Sequence, residues 1–228
     1  MRTPQAPAAR ATVSGDVVER LRRDILDGAH PSGSRLKVGI LARRYGVSPM
    51  PVREAIRILD AEGLVETSPR RGTRVVTVDD AFIRNVYDMR EALEGMLARR
   101  AADRIDQAQL ARLAAIEEKL EASAARKDFT AVLAANQAFH AVINEAAGNV
   151  EAIRVLEVHW NLIIALWGRH GYGTDRAAGV ISDHRQLLVA LRARDADGAV
   201  MLASAHAVKA KQEMLRRFEA SAKSTKAA

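Results

Sequence analysis

The chain has 228 residues, a formal net charge of +7 and no cysteine. That length accommodates two ordinary domains, and the absence of thiols excludes a disulfide framework or a thiolate metal site and suits a reducing cytoplasm. No apolar run approaches the ~18–20 residues of a membrane span.

The basic excess is uneven. Residues 1–78 hold 14 Lys/Arg and 8 Asp/Glu, a net of +6; residues 79–228 hold 21 and 20, a net of +1. Phosphate neutralisation would place charge in this way. Residues 1–12 are rich in Ala, Pro and Arg and lack the apolar centre of a signal peptide, so they read as a disordered leader.

The stretch from Leu41 to Val65 reads as two short helices around a tight turn. Leu41 and Ala42 are apolar on the first, and Gly46 permits the turn. Ser48 is placed to cap the second helix through its side-chain oxygen. Pro49 and Pro51 fall in the first turn, where backbone N–H groups have no intrahelical partner. Val52, Ala55, Ile56 and Leu59 recur at i, i+3, i+4 and i+7 and form one apolar stripe. Arg53 and Arg57 lie off that stripe, free for phosphates or base edges. Gly63 ends the helix as a C′ glycine.

Two β-rich runs follow, Leu64–Thr67 and Thr73–Val78, around the turn Ser68-Pro69-Arg70-Arg71-Gly72. A helix-turn-helix followed by an arginine-tipped hairpin is a winged helix. Its second helix enters the major groove and its wing reaches the backbone or minor groove. The expected DNA-contacting residues are Ser48, Met50, Pro51, Arg53, Arg57, Arg70, Arg71 and Gly72, and the partner is double-stranded DNA.

The run from Ser48 to Arg57, with Glu62-Gly63-Leu64-Val65, resembles the signature of GntR-type bacterial transcription regulators. The segments Val17–Gly28 and Pro31–Leu36 fit the same pattern, so the resemblance spans about residues 14–78. Family members commonly carry Arg and Thr where this chain has Pro49 and Met50. The fatty-acid-responsive branch also has an operator-contacting Arg that aligns with Gly39. The resemblance therefore implies an operator different from that branch's, with fewer direct base contacts.

From Asp79 to about Phe218 the periodicity is helical throughout. Helices are predicted over roughly 79–102, 106–125, 128–147, 150–169, 176–194 and 196–218, giving an antiparallel all-α bundle of six to seven helices. The fold class is thus mainly α. Its expected divisions are a leader (1–12), a winged helix (13–78), a helical domain (79–218) and a flexible tail (219–228). Low aromatic content predicts a core of Ala, Leu, Ile and Val.

Asn136 and His140 are four residues apart and share a helix face. His184 and His206 lie on helices joined by a short turn, about 12 residues before it and 9 after it. At ~1.5 Å per residue they reach similar depth. Three imidazoles converging in a bundle suit a divalent metal, with Asn136 as a neutral fourth ligand. A lone histidine on an apolar face is ordinarily a hydrogen-bonded core residue, and His159 and His170 are read that way.

Asn136–His140, Ala147-Gly148-Asn149, His184, His206 and the segment Tyr87–Glu94 resemble the helical FCD ligand-binding domain of one GntR subfamily, over about residues 82–218. The resemblance implies a divalent ion (Zn, Ni or Mn) held by Asn136, His140, His184 and His206, with a small organic acid beside it. Asn in place of the commoner Asp leaves one negative charge fewer on the ion. Arg90 stands where such domains often carry a cavity-facing arginine, suited to a carboxylate. Its alternative is an intrahelical pair with Asp88, Glu91 or Glu94. Asn161 and Trp167, on an apolar helix, complete the expected effector residues.

These features together describe a metabolite-responsive repressor, acting as a homodimer on a pseudo-palindromic operator. The alternative is a helical-bundle metal-dependent hydrolase with an accessory nucleic-acid module. Only Asp183 and Glu145 offer themselves as its general base, and the His-Glu-x-x-His motif is absent.

Overall fold

The computed structural model describes residues 8–227. It is mainly helical, with one three-stranded sheet. Two compact units emerge. One comprises the described residues up to Val78 together with Val158–Ala165; the other comprises Asp79–Glu157 and the described residues from Leu166 on.

In the first unit, α1 (Ala8–Leu26), α2 (Val38–Tyr45) and α3 (Pro49–Ala61) surround a small core. Val17, Leu21 and Ile25 of α1 are buried with Val52, Ala55 and Leu59 of α3 and Leu41 of α2. Polar ties reinforce the packing. Arg22 on α1 forks onto the Glu62 carboxylate at 2.9 and 2.6 Å, and the Tyr45 hydroxyl donates to Asp24 at 2.8 Å. Gly46 follows α2 at φ 68°, and Gly63 follows α3 at φ 67°. Both are left-handed positions that L residues adopt at a cost.

Strands β1 (Arg35–Leu36), β2 (Val65–Ser68) and β3 (Gly72–Val75) form an antiparallel sheet in the order β1-β3-β2. Glu66 pairs with Arg74 and Ser68 with Gly72, so Pro69, Arg70 and Arg71 make the tip of the expected hairpin. The third strand, β1, pairs Arg35 with Arg74. Two residues carry no period, so only this pairing makes them a strand.

The second unit contains α4 (Asp80–Arg104), α5 (Gln107–Ala125), α6 (Phe129–Ala147), α7 (Val150–Glu157), α9 (Thr174–Ala193) and α10 (Ala196–Ala227), with the later part of α8 (Trp160–His170). Acidic caps start three of these helices. Asp79 accepts from the Phe82 amide at 2.7 Å and Asp128 from the Ala131 amide at 3.0 Å. Asp106 and Gln109 close a reciprocal capping box. The core is rich in Ala and Leu, as the composition predicts, with Leu97, Ala101, Leu113, Val142, Leu191 and Ala203 buried around Phe139. At Gly95 a side chain would meet the Ser204 hydroxyl at 2.6 Å, so α4 and α10 approach closely there.

Three expectations are corrected. The helix expected over 150–169 is two, α7 and α8, separated at residues 158–159. The α1 helix begins at Ala8 inside the expected leader, where Ala and Arg favour helix; residues 1–7 lie outside the described residues. Helix α10 continues to Ala227 through the expected tail, again over Ala- and Lys-rich sequence; residue 228 lies outside the described residues.

Candidate DNA-reading face and metal centre

On α3 the buried stripe of Val52, Ala55, Ile56 and Leu59 turns the opposite face outward. Met50 (70 % exposed), Arg53 and Arg57 occupy that face at i, i+3 and i+7. Arg57 is tied to Glu54, with guanidinium–carboxylate distances of 3.3 and 2.6 Å, whereas Arg53 is exposed. Ser48 occupies the cap position with extended backbone, but its side chain makes no capping hydrogen bond. A cap hydroxyl seeks the N–H of the second or third helical residue; Pro51 removes the third, leaving Met50 as the one such donor. Arg70 and Arg71 are exposed at the wing tip, followed by Gly72 at φ 71°. The Arg35 guanidinium lies 3.2 Å from where a Gly72 side chain would begin. That guanidinium is the end of a flexible side chain and can shift, so the left-handed backbone of Gly72, more than space, disfavours a larger residue there.

In the helical unit His140 on α6, His184 on α9 and His206 on α10 converge. Their ring centroids stand 5.3, 5.2 and 5.2 Å apart. One nitrogen from each lies within 4.8 Å of the others. All three rings are buried.

Two rings are oriented by carboxylates. Nδ1 of His184 donates to Glu117 Oε2 at 2.9 Å, and Nδ1 of His206 to Asp183 Oδ2 at 3.2 Å. The other Asp183 oxygen accepts from Lys209 at 2.5 Å. A proton held at Nδ1 leaves Nε2 as the lone-pair nitrogen, the arrangement in which metal-binding imidazoles are held. His184 also stacks on Phe139 with centroids 3.9 Å apart and planes 5° apart. Rotation of that ring is therefore restricted.

Burial dominates the electrostatics. It pushes His184 and His206 down to about 3 and holds His140 well below the ordinary histidine range, Glu94 opposing it in that case. Neutral imidazoles at pH 7 are what a cation needs. Burial, helped by Glu121, raises Glu117 to about 7. Asp183 is pushed up by burial, but the hydrogen bonds from His206 and Lys209 outweigh this and leave it low.

The residues fit a divalent ion. Nε2 of His184 and Oδ1 of Asn136, one turn before His140, are buried with no hydrogen-bond partner among the described residues. Orphaned buried acceptors are costly, and a cation satisfies both. Asn136, His140, His184 and His206 would hold it.

A buried polar cluster extends from this centre. Arg90 pairs with Glu94 at 2.5 Å, the intrahelical alternative read from the sequence, and donates to the Leu156 carbonyl at 3.5 Å. The Trp167 indole N–H donates to the Tyr87 hydroxyl at 3.1 Å. Arg176 lies 5.6 Å from the Trp167 ring, and its Nε has no hydrogen-bond partner among the described residues. Its charge helps to depress His184 and His206.

Arg176 and Glu117 escape the sequence reading. Each carried a signal, a charge on a buried stripe: Leu110, Leu113, Glu117, Leu120 on α5, and Arg176, Val180, His184, Leu187 on α9. Asn161, expected beside the effector, is exposed, within the segment 158–165 that groups with the first unit. The apolar character of α8 on nearly every side hid which way it faced.

A winged helix with a basic reading face, joined to an all-helical domain with a buried histidine centre, defines a class of two-part DNA-binding proteins. Residues 13–75 match the model of the bacterial regulatory proteins of the gntR family, and residues 85–209 match the FCD domain. The chain belongs to the GntR family, in the branch that carries an FCD domain.

It is 30 % identical over 192 residues to the "Probable D-xylose utilization operon transcriptional repressor" of Paenarthrobacter nicotinovorans, covering 82 % of this chain and 81 % of the relative. It is 26 % identical over 193 residues to the HTH-type transcriptional regulator YdhC of Bacillus subtilis, covering 82 % and 84 %. The solved structure of E. coli McbR/YncC shares the fold, with a TM-score of 0.71, 22 % identity and coverage of 90 % and 98 %. The protein is a transcriptional regulator of this family and not an enzyme. The hydrolase alternative finds no support; Glu145 is an exposed partner of Arg112, and both Asp183 oxygens are engaged.

Proposed function

We propose that the protein is a repressor that binds a pseudo-palindromic operator as a homodimer and releases it in response to a small organic acid. One winged helix reads only a short half-site, which favours two-fold pairing. A divalent ion (Zn, Ni or Mn) is held by Asn136, His140, His184 and His206. When bound, it supplies a Lewis-acidic position for a carboxylate oxygen. Arg176, with Arg90 nearby, holds and orients the remaining carboxylate charge.

The observation that carries this reading is the convergence of three neutral, buried imidazoles beside a buried arginine whose Nε lacks a hydrogen-bond partner among the described residues. A ligand that favours one arrangement of the two domains shifts operator affinity by its differential affinity for the two arrangements.

Metal analysis of the purified protein, beside a His140→Ala/His206→Ala variant checked for helicity, tests the centre. About one tightly held ion per chain, lost in the variant, is expected. Operator affinity at fixed salt is then measured across sugar acids, hydroxy acids and dicarboxylates. An affinity unmoved by every member of the panel would remove the effector reading.

A further inference from the structure

The first turn of α3 is the least polar part of the reading face. Pro49 and Pro51, its first and third residues, carry no N–H. A helix N-terminus is ordinarily a ready seat for phosphate, but here only Met50 among the first three residues keeps an amide hydrogen. What the turn presents instead is the Met50 side chain, 70 % exposed on the face shared with Arg53 and Arg57.

In a recognition helix the N-terminal residues are the ones that meet base edges. The major-groove edges carry donors and acceptors with one apolar group, the thymine C5-methyl. A flexible thioether chain adapts well to such a small apolar target. Arg53, one turn further on, supplies the charge that seats the helix. Arg57 is paired with Glu54, whereas Met50 and Arg53 stand exposed at this end of the helix.

We propose that Met50 is a specificity-determining residue that packs on a thymine methyl in each half-site, at a fixed step from the base pair or phosphate met by Arg53. The inference rests on the DNA-binding reading and adds the base that this helix requires.

The test begins with selection of bound sequences from random duplex DNA by the full-length protein. The enriched duplex is then remade with deoxyuridine replacing each thymine singly, which removes the methyl and nothing else. At one thymine per half-site, uracil should weaken binding about fourfold, as expected for one methyl withdrawn from an apolar contact. Met50→Ala should bind more weakly overall and lose the distinction between thymine and uracil at that position. Met50→Leu should retain it.

Tolerance of uracil at every position by the unaltered protein would overturn the inference, and that arm needs no variant. An undiminished uracil penalty in Met50→Ala, with helicity confirmed, would also overturn it, since another group must then read the methyl. Failure to enrich any duplex would instead strike the DNA-binding reading itself.

Discussion

At the scale of single residues, the carboxylate of Glu117 orients His184: it holds the ring proton on Nδ1 and leaves Nε2, buried and without a hydrogen-bond partner among the described residues, as the lone-pair nitrogen. Such outer partners raise ligand basicity, and their loss typically weakens metal binding 10- to 100-fold. Glu117→Gln, which keeps the shape and removes the charge, is expected to fall in that range in competition against a chromophoric chelator while helicity is unchanged. On the DNA side, Arg53→Ala should weaken operator binding by about 1–3 kcal/mol and relax discrimination at one base pair if it meets a base edge. A uniform loss across operators would mark a phosphate contact instead. The histidines were legible because their type and spacing carry chemistry by themselves. Glu117 and Arg176 were not, because a single charge within an apolar stripe gains meaning only from the helix packed against it.

At the scale of elements, the legible boundaries were those with a local chemical cause. Asp79, Asp106 and Asp128 cap α4, α5 and α6 through their own side chains. The break between α7 and α8 has no such signal, since the stretch from Val155 to Trp167 is apolar nearly all round. Strand β1 exists through its partner. Arg194 is a further case: it adopts φ 54° and sends its guanidinium to the carbonyls of Ala102, Asp103 and Ile105 at 3.2, 2.8 and 3.1 Å. A cation on the last carbonyls of α4 satisfies orphan acceptors and complements the helix dipole. Arg194→Ala is expected to destabilise the helical unit by about 1–2 kcal/mol, read as a shift in the denaturant midpoint. Arg194→Gly should recover part of that loss, because glycine relieves the left-handed backbone without restoring the hydrogen bonds.

At the scale of the whole molecule, the three histidines come together from α6 and from the consecutive helices α9 and α10, so an unfolded chain would offer an ion no preformed site. Ion binding then adds to stability by mass action. Chelator treatment should lower the melting temperature, and Zn, Ni or Mn should restore it in the unaltered protein but not in His140→Ala/His206→Ala. The metal-free protein should also be acid-sensitive in a defined direction. Folded His184 and His206 sit near 3 and unfolded histidine near 6.5, so the unfolded chain takes up protons first. Their contribution is fully present above 6.5 and is lost as the pH falls through that window toward 3. Glu117, raised to about 7 from 4.5, works the opposite way, one group against these two and His140, which burial also depresses. Melting temperatures of the metal-free protein should therefore fall from pH 7 to pH 5, and less steeply in His206→Gln.

The strand order of the wing has a consequence for how quickly DNA is captured. Strand β3 lies between β1 and β2 and is laddered on both sides, so the hairpin is braced before it meets any duplex. Amide hydrogens of β3 should exchange with solvent more slowly than the outward-facing amides of β2. A wing braced at its base would surrender little conformational freedom on contact, and Arg70 and Arg71 at its tip would be presented to a duplex from a preformed strand pair. Capture should then be limited by diffusion and ionic steering, with an association rate that falls as salt is added and responds little to substitutions that merely stiffen the tip.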